Sequence, residues 1–101
     1  MQLAQVRGTV VSTQKLPAMR GIKLLLLQFI DQEGNLLPRY EVAADQVGAG
    51  VGEWVLVSRR AIAPHPEDEK QRPLDAIVVG IVDTVSVDKN LLYSKKDEYR
   101  R

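Results

Sequence analysis

The chain has 101 residues, 45% hydrophobic and 27% charged, with 14 basic against 13 acidic side chains and no cysteine. That length encloses one hydrophobic core, so a single domain is expected, and the near-neutral charge sets up no field to gather nucleic acid or anionic lipid. Disulfide and thiolate chemistry are excluded, and the longest apolar stretch, Leu24 to Leu27 followed by Phe29 and Ile30, is far shorter than the roughly 20 residues of a membrane-spanning helix.

Met1 to Arg7 lacks the basic-then-apolar pattern of a secretion signal, so a cytoplasmic protein is expected. From Gln2 to Thr13, Ala4, Val6, Gly8 and Val10 share one parity while Gln5, Arg7 and Thr9 take the other. This predicts a first strand with one wet face and, at Gly8, a bulge or a close backbone approach. Pro17 and Gly21 mark 14–21 as a connection. Lys23 to Asp31 predicts a second strand with two apolar faces, Leu25, Leu27 and Phe29 on one, Leu24, Leu26 and Ile30 on the other. Asp31 to Asn35, with Gly34, has the chemistry of a hairpin turn. Tyr40, Val42 and Ala44 then alternate with Arg39 and Glu41, which predicts a third strand with Tyr40 and Val42 on the core side.

Val47 to Gly52 is a glycine-dense turn, and Glu53 to Arg59, with Trp54, Val55, Leu56 and Val57, predicts a fourth strand that is again apolar on both faces. Residues 60–75 hold Pro64, Pro66 and the run Glu67 to Lys70, and are expected to form an exposed excursion with at most a turn of helix. The last long strand is placed from about Ile77 to Val87, with a bulge at Asp83 and Thr84 where the inward parity changes. Leu91, Leu92 and Tyr93 form a short final element, and 94–101 a polar tail or short helix.

These elements predict an all-β chain, a small five-stranded OB-like β-barrel with one or two short helices. Each strand of such a barrel has one face in the core and one outside. Strands two and four and the start of the fifth are apolar on both, so Leu24, Leu26, Ile30, Trp54 and Leu56 are the candidate subunit-interface residues. Cover by the chain's own terminal segment or by the excursion is the competing explanation.

The motifs offer little chemistry. Gly48, Ala49, Gly50, Val51 and Gly52 lack the spacing and the following helix of a phosphate loop, and fit a tight turn or a place where symmetry-related loops crowd at an axis. His65, between two prolines, reads as a solvated loop residue. No nucleophile triad or acid-base carboxylate pair stands out, so neither an enzyme nor a cofactor or metal site is expected. Single-stranded nucleic acid is the alternative ligand for a barrel of this type, but Phe29, Tyr40, Trp54, Tyr93 and Tyr99 are few, and Asp97 and Glu98 dilute Lys95, Lys96, Arg100 and Arg101.

Four blocks together resemble the EutN/CcmL family of microcompartment vertex proteins: Val6 to Thr13, Lys23 to Leu27, Ala44 to Leu56, and Val79 to Val85. The closing Leu92-Tyr93-Ser94-Lys95-Lys96-Asp97 looks more like the carboxysome members than the ethanolamine-utilisation members. The resemblance implies a homopentamer that caps the fivefold corners of a polyhedral shell built mainly of hexamers, with carbon-fixing enzyme and carbonic anhydrase as cargo. It also implies that Gly48, Ala49 and Gly50 lie near the fivefold axis. The chain departs from the family after Ser58, where Arg59 to Pro66 replaces a short Gly-Ser-Ala-Arg-like helix.

Overall fold

The computed structural model describes residues 1–13, 17, 21–59 and 75–98, with side chains up to Lys96. Along these residues run β1 (Gln2–Val10), β2 (Lys23–Ile30), β3 (Leu36–Asp45), β4 (Trp54–Arg59), β5 (Ala76–Ile81), β6 (Thr84–Val87), β7 (Asn90–Ser94) and one turn of helix, α1 (Lys95–Glu98). The first five strands close into a barrel in the order β1-β2-β3-β5-β4. β1, β2 and β3 form an antiparallel meander, β4 runs antiparallel to β1 and β5, and β5 returns parallel to β3. The expected OB-like barrel is therefore the observed one.

Side chains alternate across a strand, so alternate positions fill the barrel. Ala4 and Val6 of β1, Leu25, Leu27 and Phe29 of β2, Ala43 of β3, Val55 and Val57 of β4, and Ala76 and Val78 of β5 make the core. The turn between β2 and β3 closes as its sequence implies. One Asp31 carboxylate oxygen accepts the amides of Glu33 and Asn35, each at 2.9 Å, while Gly34 takes a φ of 86° that only glycine adopts without penalty. The β1 register shifts between Val6 and Gly8, a bulge at the expected glycine. Val6 consequently points inward, whereas Val10, opposite Leu24, points outward.

Three expectations are corrected. Tyr40 and Val42 lie outside the core, 56% and 45% exposed, because Leu26 pairs with Val42 and inward-facing Leu27 pairs with Glu41. The inward positions that look wet in the sequence close one end of the barrel. The Arg39 guanidinium lies 4.4 Å above the ring of buried Phe29 and donates to Gln2, while Arg59 lies 5.9 Å from the same ring and pairs with Glu41 at 2.8 Å. Long basic side chains cover apolar surface with their stems and keep their heads in water, which is why a barrel end accepts them on its inner parity.

Ile30 is the second correction. It is 7% exposed, so it is already covered within the chain and is not free on an outer face. Thirdly, the strand expected to run from Ile77 to Val87 is broken. β5 ends at Ile81, its register shift falls between Val78 and Gly80, and the chain leaves the barrel at Val82 and Asp83. Among the described residues β6 then pairs only with β7, as a separate two-stranded arm. The expected excursion at 60–75 lies outside the described residues apart from exposed Asp75, as do His65, residues 99–101 of the tail and most of the 14–21 connection.

Leu27 is fully buried in the barrel centre and Val11 is 88% exposed beyond the end of β1. Leu27→Ala is expected to cost roughly 2–5 kcal/mol of folding free energy, read as a lowered urea midpoint. Val11→Ser should stay within about 0.5 kcal/mol of the parent.

Candidate subunit interface

Turning the core positions inward puts a second apolar set outside. On one side of the barrel Leu24 stands between Val10 and Ala44, and Leu26 stands opposite Val42 with Tyr40 two positions along the same face. Leu24 and Leu26 are partly exposed. A second apolar side is carried by β4 and β5, where partly exposed Leu56 lies across Gly80 and Ser58 pairs with Ile77. The first face is centred on β2 and β3 and the second on β4 and β5; β1 lies between them on one route round the barrel, and on the other they adjoin at the short β3–β5 seam, where Ala44 and Asp45 pair with Ile77 and Val78.

The interface candidates thus divide. Leu24 and Leu26 share one face and Leu56 occupies the other. Ile30 belongs to neither. Trp54 is on the Leu56 side, but its indole is stacked on Tyr93 of β7 with ring centroids 4.3 Å apart and planes 8° from parallel. The chain's own arm therefore covers part of this face. Tyr40 and Val42 belong to the first face, and the register of β3 against β2, hidden in the sequence, is the signal that locates them.

The glycine turn is held by two carboxylates. Asp45 Oδ1 accepts the amides of Val47 (3.0 Å) and Gly48 (3.1 Å), and Oδ2 accepts that of Ala49 (3.0 Å). Lys23 Nζ sits 3.4 Å from Oδ2 and donates to the Ala49 carbonyl at 3.2 Å, fixing both ends of the turn. Burial pushes the Asp45 carboxyl upward, but the amides of Val47 and Ala49 and the Lys23 ammonium outweigh it and hold the group below its ordinary range. Beyond Gly50, Glu53 Oε1 accepts the Gly50 amide at 2.6 Å, while Oε2 meets Lys95 Nζ at 2.9 Å. Gly48 and Gly52 take φ values of 79° and 90°.

Those amides are already satisfied by the chain's own acids, so the turn is not a cradle for an external phosphate. Of the three candidate axial residues, Gly48 and Gly50 are exposed and Ala49 is buried in the core cluster. Val47 and Val51 flank them on the surface. Among the described residues no group of three or more histidine or acidic side chains is placed to hold a metal, and no helix is long and apolar enough to cross a membrane.

Residues 1–83 match the family described as Ethanolamine utilisation protein EutN/carboxysome. The chain belongs to the EutN/CcmL family. Similarity to individual EutN/CcmL proteins continues through the arm. The carboxysome shell vertex protein CcmL of Nostoc sp. is 63% identical over 101 residues, covering 99% of this chain and 100% of the relative. The structure of Gloeobacter violaceus CcmL superimposes with a TM-score of 0.88 at 62% identity, over 96% of this chain and 100% of that one. A pentameric microcompartment shell protein, GrpN from Rhodospirillum rubrum, gives a TM-score of 0.73 at 40% identity, over 86% and 98% of the two chains.

For this EutN/CcmL chain the Asp45 staple has a definite pH signature. A carboxyl depressed in the folded state contributes stability that is complete above its unfolded pKa, about 3.9, and is lost as pH falls through the lower folded value. Asp45→Asn should therefore lower the urea midpoint at neutral pH. The gap between variant and parent should close as the solution is acidified below the ordinary aspartate range.

Proposed function

We propose that this chain assembles head to tail into a homopentamer that forms the vertices of the carboxysome shell in the cytoplasm. The observation that carries this reading is the pair of unlike apolar faces on a barrel whose core is already full. Interfaces between unlike faces are heterologous, and they form a ring when the rotation closes. The close likeness to carboxysome shell vertex proteins along the whole chain supports the carboxysome, and the likeness to a pentameric shell protein supports a ring of five.

The role is geometric. A flat hexagonal layer cannot enclose a volume without fivefold corners, and a subunit that fixes the rotation between neighbours supplies them. The partners on this reading are further copies of the chain and, at the rim, hexameric shell proteins, with carbon-fixing enzymes enclosed. No reaction is assigned to the chain: its acids at the glycine turn are occupied in holding backbone amides. Exposed Gly48 and Gly50 are the residues we place near the axis, where small side chains allow five loops to approach.

Binding of single strands is the weaker reading, because it needs aromatic platforms along a basic groove. Phe29 is buried beneath Arg39 and Trp54 is stacked on Tyr93, which leaves Tyr40 as the one largely exposed aromatic side chain among the described residues.

Native mass spectrometry should show a dominant five-subunit species. Leu26→Lys places a charge in the first face and should reduce the mass measured by light scattering on gel filtration while the barrel stays folded. A parent protein that remains a monomer at high concentration would remove the basis for the ring.

A further inference from the structure

We infer that the β6–β7 arm of each subunit docks on the outer face of β2 and β3 of the next, seating Leu91 against Tyr40 and Val42. The inference rests on the head-to-tail ring proposed above and names the elements that meet.

Area is the first argument. A stable interface hides roughly 800 Å² on each partner. On the β4–β5 side Leu56 is only partly exposed and Trp54 is stacked beneath Tyr93, so this wall offers little free apolar surface of its own. The arm adds apolar surface there, with Leu91 58% and Leu92 36% exposed.

The arm also needs a partner for its own sake. A two-stranded hairpin is marginal in water unless it packs on something. One side of this arm is anchored, through the Tyr93–Trp54 stack and through Leu92, which lies against Gly34. Leu91, 58% exposed, pairs with Ser86 on the face opposite to the Val85–Tyr93 pair, and so points away from the stacked rings. At the tip, Asp88 and Lys89 have φ values of 50° and 65°, the backbone of a two-residue turn matched to hairpin twist. The arm is thus preformed, which reduces the ordering cost of docking it.

The receiving face has complementary needs. β5 pairs with β3 only at Ala44 and Asp45, so from Leu36 to Ala43 that edge of β3 has no strand beside it among the described residues. Tyr40 and Val42 are the exposed apolar side chains on this stretch, continuous with Leu26 and Leu24. An arm reaching from the neighbour covers the face and shields the edge together.

The absence of cysteine makes the test direct. In a Leu91→Cys, Val42→Cys double variant, oxidation or a short bis-maleimide should give a ladder on a denaturing gel that ends at a covalent five-subunit band. Neither single variant should give it, because a head-to-tail contact does not bring a residue to its own copy. A double variant that is pentameric by native mass spectrometry yet gives no ladder overturns the arm contact and leaves the ring intact; an arm that meets a neighbouring hexamer gives this result. A parent protein that never forms the pentamer overturns both. Independently, Leu91→Ser should raise the concentration at which the pentamer dissociates by about tenfold or more, and an unchanged value counts against the contact.

Discussion

A closed barrel of five strands gives every strand a single inward face, and this chain packs the barrel centre with Val6, Leu25, Leu27, Phe29, Val55, Val57 and Val78. Apolar side chains on the outer parity then have nowhere to go within the barrel. Each square ångström left wet forfeits about 25 cal/mol, so two outer faces built of leucine, valine and tyrosine favour any arrangement that covers them. Because the two faces differ, the arrangement we propose is a head-to-tail succession of copies.

Turn and arm are tied to this framework by acids used as fasteners. Asp45 gathers three amides at the start of the glycine turn. Glu53 gathers the Gly50 amide and the Lys95 ammonium, so the far side of the turn and the base of the arm share one carboxylate. The Lys95 amide in turn bonds the Asp83 carbonyl, where the chain leaves the barrel. Side chains that would suggest acid-base chemistry in a sequence scan are spent on backbone geometry.

Alternation made much of the fold readable in advance. The both-faced apolarity of β2 and β4, the Asp31 turn and the glycine bulge in β1 are local features, and each appears where the residues imply. What failed was parity that depends on distant pairing. Arg39 and Glu41 look like solvent positions, yet they cap the open end of the barrel over Phe29, and the assignment of Tyr40 and Val42 failed with them. Ile30 has the parity of an outer residue in the sequence, and its cover within the chain comes from tertiary packing that parity does not record. The arm was missed because its tip, Asp88-Lys89, is not one of the glycine-containing pairs that announce a hairpin. The outer apolar positions Leu24, Leu26 and Leu56 are legible from pattern, whereas the outward placement of Tyr40 and Val42 follows only from the register of β3.

The barrel is joined least firmly between β3 and β5, where only Ala44 with Ile77 and Asp45 with Val78 are in register. Asp45 therefore serves twice, as a link in that narrow seam and as the clasp of the adjoining loop. Cylinder closure and loop shape cannot relax separately. A lateral stress that pries the seam apart must also unfasten the loop, and this concentrates the stiffness of a corner piece in one small buried carboxylate.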